Sequence, residues 1–131
     1  MRTRVFMHRY LQQNEMLAYC AAKNIVVQAY SPLGNLKHPG SEDVTPLNEP
    51  IVAEIAKKLG KSPAQVILRW GIQHTGVVLP KSTTPSRIAE NLALFDFELS
   101  AEQMKQMAEL GQRQQRFVNP AIRPDGSKIF A

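Results

Sequence analysis

Short apolar runs alternate with amphipathic stretches along this chain. Apolar residues dominate 24–30 and again 77–79, and each run is short enough for a buried strand. Between these runs, apolar residues recur at helical spacing, as in Ile51, Ile55 and Leu59. Buried strands that alternate with amphipathic helices predict an α/β fold with a parallel sheet.

Capping residues predict where the helices begin and end. Pairs of Ser and Gln three positions apart match the capping-box pattern, and Pro favours the first helical position. A Gly after an apolar stripe predicts the end of a helix, here at Gly60. The predicted starts are Asn14, Thr84 with Pro85, and the two boxes Ser62–Gln65 and Ser100–Gln103.

One predicted strand–loop–helix junction gathers groups that suit an anion. Lys81, Ser82 and Thr83 follow the apolar run 77–79 and come just before the predicted helix. Arg87 lies in the first turn of that helix and can reach back over the same place. Two cations, hydroxyl groups and the backbone N–H groups of a positive helix end predict a phosphate site.

Spacing alone leaves that phosphate site open, because strand–loop–helix junctions with a Lys and an Arg occur in many α/β proteins. The whole string 79–94 is more informative. It contains Leu-Pro-Lys-Ser, then Arg, then Glu-Asn, and it resembles the cofactor signature of the aldo-keto reductases. The resemblance implies that this chain binds NADPH.

The resemblance also implies a role for each polar side chain of the string. Lys81 and Arg87 would hold the 2′-phosphate that distinguishes NADPH from NADH. Ser82 and Thr83 would assist them. The residues expected to face the adenine ring are Glu90 and Asn91.

A second segment is similar to another cofactor segment of the same family. Tyr-Ser-Pro-Leu-Gly follows the apolar strand 24–30 and ends at Gly34. By this resemblance Tyr30 stacks on the nicotinamide, while Ser31 and Leu33 approach the pyrophosphate. Taken without the family, a tyrosine such as Tyr30 at a strand end more often packs on a core.

The resemblance implies a partial (β/α)8 TIM barrel that consists of the C-terminal β/α units only. The 131 residues supply about three of eight strands and fall well short of the roughly 250 residues of a full barrel. We therefore expect one partial domain over 1–131, the C-terminal part of an aldo-keto reductase barrel, with the resemblance limited to a C-terminal part of the chain. Residues 34–50 are expected to form a cofactor-side loop, and 111–131 a C-terminal tail.

The family's catalytic tetrad of Asp, Tyr, Lys and His has no match in this sequence. We therefore predict no catalytic residue here and no carbonyl reduction by this chain alone, with a carbonyl substrate only if the missing half-barrel completes it. Arg4 stands where the family has a Gln that contacts the nicotinamide. A non-enzymatic fragment, either cofactor-binding or vestigial, is the alternative.

Composition narrows the remaining classes. The net charge is +5, but the cations are spread along the chain, so we expect no nucleic-acid partner. No spacing of ligands predicts a metal site. The single cysteine, Cys20, is expected in the core and is compatible with a reducing compartment.

The distribution of apolar residues bears on targeting and on assembly. No apolar run suits a signal peptide or a membrane helix, so we expect no membrane partner and a cytoplasmic protein. Parallel strands are normally covered on both faces, and an open fragment exposes apolar surface. We therefore expect a lone monomer to be marginally stable, or the chain to bury that surface by self-association.

Overall fold

The computed structural model describes residues 1–8, 11–34 and 46–113, without the side chains of Phe6, Gln112 and Arg113. Strands and helices alternate along most of these ranges. The elements are β1 (Arg2–Phe6), α1 (Asn14–Ala22), β2 (Val26–Tyr30), α2 (Pro50–Leu59), α3 (Pro63–Thr75), β3 (Val78–Leu79), α4 (Pro85–Leu92) and α5 (Ala101–Glu109), with 3₁₀ turns at Pro46–Asn48 and Leu110–Arg113.

The three strands form one parallel sheet in the order β1-β2-β3. Phe6 of β1 pairs with Tyr30 of β2, and Tyr30 pairs with Leu79 of β3. The carboxyl ends of the three strands therefore meet at one edge of the sheet. The predicted α/β fold with a parallel sheet is confirmed, and this sheet is consistent with part of a barrel.

The larger of two core clusters lies among α2, α3 and α5. Trp70 is 2% exposed in it, so its ring is part of the core. Ile55 of the predicted apolar stripe is buried, and Ile51 and Leu59 pack partly buried against the cluster. Its buried members are Val52, Ile55, Ala56, Val66, Ile67, Trp70, Leu99 and Met107.

The smaller core cluster joins α1 to the sheet. Cys20 lies in it as a buried free thiol, as expected, together with Met7, Val27 and Ala29. The predicted cap at Asn14 is wrong by one residue. Gln13 is the cap, with a left-handed φ of 54°, and its side chain makes no capping hydrogen bond. Asn14 is the first residue of the helix.

The other helix boundaries follow the sequence signals. Both capping boxes form, with Ser62 and Ser100 each accepting a hydrogen bond from the backbone N–H of the Gln three residues later. Gly60 ends α2 with a φ of 63°, a value that glycine adopts without strain. Most of the expected loop 34–50 and tail 111–131 lies outside the described residues.

Candidate functional site

The predicted phosphate junction has the expected backbone. β3 ends at Leu79, and α4 begins at Pro85 with Thr84 as its N-cap. The Thr84 side chain makes no capping hydrogen bond. Instead the Ser82 hydroxyl accepts a hydrogen bond from the Thr84 N–H at 3.2 Å. Ser82 therefore shapes the turn, and the Thr84 side chain does not occupy the first-turn N–H groups of α4.

A cavity of about 400 Å³ lies at this junction. Six of the nine residues predicted to bind a cofactor line it, from three different segments of the chain. Lys81 and Arg87 are exposed on its wall, so both cations can reach an anion held there. The six are Leu33, Lys81, Ser82, Arg87, Glu90 and Asn91.

The other three predicted residues lie outside the lining of this cavity. Tyr30 is 46% exposed at the end of β2, so it is not the buried core aromatic that its position alone suggests. Ser31 follows it with a φ of 54°, a strained value for a residue with a side chain. Thr83 is exposed in the turn before α4.

The opposite wall of the cavity was not anticipated from the sequence. Ser62, Pro63 and Ala64, at the start of α3, line it together with Leu47 and Asn48 of a 3₁₀ turn. The capping box at Ser62 indicated only the start of a helix. Because that box also marks a second positive helix end, it is the one sequence signal that could have suggested this wall.

The two histidines of the described part of the chain, His8 and His74, are packed within the fold. His74 stacks on Trp70 with 4.8 Å between ring centroids, and its Nε2 lies 3.3 Å from the Gln12 carbonyl oxygen. His8 is buried beyond β1. The described ranges contain no group of three His, Cys, Asp or Glu side chains that could hold a metal ion. These histidines therefore have structural surroundings.

Arg4 also has a partner within the sheet. Its Nε donates a hydrogen bond to the Gln28 side-chain oxygen at 3.2 Å, and the two residues are register partners on β1 and β2. The Arg4 guanidinium is thus held by a side chain of the neighbouring strand.

Two carboxyl groups away from the cavity have perturbed acidity. The hydrogen bond from Lys61 holds the pKa of Asp96 below its ordinary value. The hydrogen bond and charge of Lys58 lower the pKa of Glu54 in the same way. Neither carboxyl group lines the cavity, so both belong to the surface ion pairs of the fold.

A larger apolar groove of about 720 Å³ adjoins the site. It lies against β3 and α4, and it shares Lys81, Ser82 and Asn91 with the smaller cavity. Leu92 and Phe95 on its rim are 72% and 76% exposed. We call this surface, comprising Val78, Leu79, Ile88, Leu92 and Phe95, the β3–α4 face.

Known proteins with similar sequences are aldo-keto reductases. Aldo-keto reductase family 1 member A1 of Bos taurus is 46% identical over 124 residues, which is 93% of this chain and 38% of that protein. The human protein of the same name is 44% identical over the same length and share. The chain thus spans about 38% of the length of these curated relatives.

Solved structures give the same result. An aldo/keto reductase from Brucella melitensis matches with a TM-score of 0.72 and 37% identity, over 83% of this chain and 38% of that one. A variant of Gox0644 in complex with NADPH matches with a TM-score of 0.72 and 28% identity, over 97% of this chain and 40% of that one. These similarities support the partial-barrel prediction.

The matched range corrects one expectation. A sequence model of the Aldo/keto reductase family matches residues 2–112. The resemblance is therefore not limited to a C-terminal part of this chain, because it begins in β1 and ends before the last residues. None of the helices that the structure describes has the length and apolar character of a membrane span. The match covers most of the sequence, and the chain belongs to the aldo/keto reductase family.

Proposed function

We propose that this chain is the C-terminal, NADPH-binding portion of an aldo-keto reductase that reduces aldehydes or ketones to alcohols. One observation carries the proposal: Lys81 and Arg87 line a cavity with four other predicted cofactor residues at the carboxyl end of β3. Barrels of this kind place their active sites at the carboxyl ends of the strands.

In this proposal the cavity takes the phosphate and adenine end of NADPH. Lys81 and Arg87 bind the 2′-phosphate, Ser82 and Thr83 assist, and the adenine ring lies by Glu90 and Asn91. The pyrophosphate passes Ser31 and Leu33, and the nicotinamide stacks on Tyr30. The partly exposed Tyr30 ring and the NADPH in the matched Gox0644 structure support this assignment.

The reaction itself requires residues that this chain does not supply. Hydride transfer to a carbonyl needs a proton donor placed at the carbonyl oxygen. The matched motifs are those of the cofactor segments and not those of the catalytic tetrad, so we propose that the 131 residues bind NADPH but do not reduce a carbonyl by themselves. A carbonyl substrate binds only when the remaining barrel strands are present.

The proposed compartment is the cytoplasm. Cys20 is a buried free thiol in the smaller core, which suits the reducing conditions found there. The alternative function is that of a vestigial fragment that binds no cofactor. The exposed apolar β3–α4 face favours this alternative, because a large exposed apolar patch promotes aggregation.

A fluorescence titration of the purified chain with NADPH and NADH tests the proposal. We expect NADPH to bind more tightly than NADH by at least about tenfold, and Lys81→Ala/Arg87→Ala to remove most of that difference. Lys57→Ala/Lys105→Ala is the matched control, because it removes the same charge from exposed residues outside the cavity.

Three results would contradict the proposal in different ways. Equal binding of NADPH and NADH would exclude a 2′-phosphate site at Lys81 and Arg87. Equal losses in both double variants would indicate nonspecific attraction to a basic protein. NADPH-dependent reduction of a generic aldehyde by the pure chain would show that a proton donor is present after all.

A further inference from the structure

Helix α4 lacks the buried side chains that usually hold a helix against its neighbours. It carries three of the residues assigned to NADPH, Arg87, Glu90 and Asn91, yet none of its side chains is buried within the described structure. Apolar packing therefore contributes little to the orientation of α4. Some other interaction must fix its distance from the rest of the cavity.

Two buried side chains of α3 supply such interactions. Arg69 donates a hydrogen bond to the Leu94 carbonyl oxygen, two residues beyond α4, at 3.1 Å, and Gln65 bonds to the C-terminal end of α4 itself. Its Nε2 donates hydrogen bonds to the carbonyl oxygens of Ala93 at 3.0 Å and Glu90 at 3.4 Å. The Glu90 carbonyl oxygen also accepts a hydrogen bond from the Ala93 N–H at 3.2 Å, whereas Ala93 lies at the C-cap, where carbonyl groups have no partner within the helix. Gln65 therefore adds hydrogen bonds at the C-terminal end of α4. Gln65 is only 8% exposed, and burial shields these bonds from competing water.

The same amide group also reaches the opposite wall of the cavity. Its Oε1 accepts a hydrogen bond from the Ser62 backbone N–H at 3.0 Å, and the Gln65 N–H donates to the Ser62 hydroxyl at 3.2 Å. Ser62 lines the cavity on the α3 side, and Glu90 lines it on the α4 side. One buried side chain thus connects the two walls.

We propose that Gln65 is a positioning residue that sets the separation of α3 and α4 and so places Arg87 for the 2′-phosphate of NADPH. The inference rests on the proposed function, since it assigns NADPH to this cavity. Gln65 does not line the cavity, so it acts through α4 and has no direct contact with the cofactor.

A matched pair of variants tests this role. Gln65→Met keeps the size of the side chain and removes its hydrogen bonds to α4, together with the one it accepts from the Ser62 N–H. Gln73→Met is the control, because Gln73 lies on the same helix and also makes two amide hydrogen bonds, to the N–H and C=O of Leu99. Leu99 is outside α4, so the control loses similar bonds without releasing that helix.

We expect Gln65→Met to weaken NADPH binding by about five- to tenfold and NADH binding by less than about twofold. The ratio of the two affinities should stay unchanged in Gln73→Met. Amide hydrogen exchange over 85–92 should become faster only in Gln65→Met. A general loss of stability would move both cofactors and both variants together.

The failures are distinguishable. Equal affinities for NADPH and NADH in the unmutated chain would overturn the proposed function. Unchanged exchange over 85–92 in Gln65→Met would overturn the positioning role, whatever the cofactor result. An unchanged affinity ratio in that variant would overturn its link to NADPH. If Gln65→Met fails to fold, Gln65→Asn serves instead, because its amide is one methylene too short to bridge both walls.

Discussion

Two regions differ sharply in how well they are packed. One is the larger core cluster among α2, α3 and α5, which we call the helical core, and the other is the β3–α4 face. In the helical core Val52, Val66, Ile67 and Met107 have no solvent exposure. On the β3–α4 face Ile88 is 46% exposed, and both Leu92 and Phe95 are more exposed than that. The same kinds of side chain are thus buried in one region and left in solvent in the other.

This difference separates a part of the fold whose helices cover one another from a part that remains open to solvent. The helical core forms from α2, α3 and α5, which cover one another. The β3–α4 face borders an edge strand of only two residues, and the predicted cofactor residues lie beside it. The proposed site therefore lies on the less packed region and depends on polar contacts such as those of Gln65.

A pair of isoleucines measures this difference most directly. Ile67→Ala removes methyl groups from a fully buried position in α3 and should lower the free energy of unfolding by about 2–5 kcal/mol. Ile88→Ala makes the same change on α4 and should cost less than about 1 kcal/mol, because no cavity is created. Urea denaturation followed by circular dichroism compares the two. Similar losses would mean that the β3–α4 face is covered in solution.

Gly71 marks the boundary between the two regions and gives the next largest effect. A Cβ atom at Gly71 would lie 2.6 Å from Cγ1 of Val78 on β3. Gly71→Ala should therefore destabilise the fold by about 1–3 kcal/mol through this clash, despite the better helix propensity of alanine. The same urea denaturation measures it.

The double variant Gly71→Ala/Val78→Ala provides the control. It removes the clashing methyl group and should lose less stability than the sum of the single changes. Strict additivity would show that β3 does not lie against α3 at Gly71, and the boundary between the packed and open regions would have to be placed elsewhere.

The sequence predicted local features better than distant ones. The predictions of the two capping boxes and of a helix end at Gly60 were correct, because the residues that determine each lie within one helical turn. The prediction of a cap at Asn14 was wrong, because Gln13 adopts a left-handed backbone conformation that the pattern of side chains does not predict. The link from Gln65 to Glu90 spans 25 positions, so no periodicity could show it.

The candidate site shows the same contrast between local and distant features. The residues that follow β3 were found from a contiguous motif, and most of them line one cavity. The wall formed by Ser62, Pro63 and Ala64 was missed, because it comes from another helix and depends on how α3 and α4 pack. The exposure of Leu92 and Phe95 depends on how α4 and the loop after it pack on the rest of the fold, which local patterns do not encode.

A charged residue on the β3–α4 face tests the expected self-association. Leu92→Lys should shift the purified chain toward monomer by several-fold in sedimentation velocity, because burying the new charge is unfavourable. Stability should change by less than about 0.5 kcal/mol at such an exposed site. Ala53→Lys adds the same charge to an exposed position of α2 and should leave association unchanged. A monomeric unmutated chain would exclude this use of the face.

The smallest effect concerns an ion pair that ties the loop after α4 to the packed helices. Lys61 precedes α3, and its Nζ lies 5.1 Å from the Phe97 ring centroid while it donates a hydrogen bond to Asp96. Because the pKa of Asp96 is lowered in the folded chain, its contribution is present above the ordinary value of 3.8 and is lost as pH falls through the folded value.

We therefore expect Asp96→Asn to flatten the fall in stability below about pH 4 slightly, and high salt to reduce the difference from the unmutated chain. Urea midpoints at pH 7 and pH 3 measure it. Glu54→Gln is the comparison, since Glu54 forms an exposed ion pair with Lys58 within α2 alone. If Asp96→Asn also speeds amide exchange in α4 and Glu54→Gln does not, the ion pair helps to join the open region to the packed one. If neither changes exchange there, polar contacts of buried residues such as Gln65 perform that function without it.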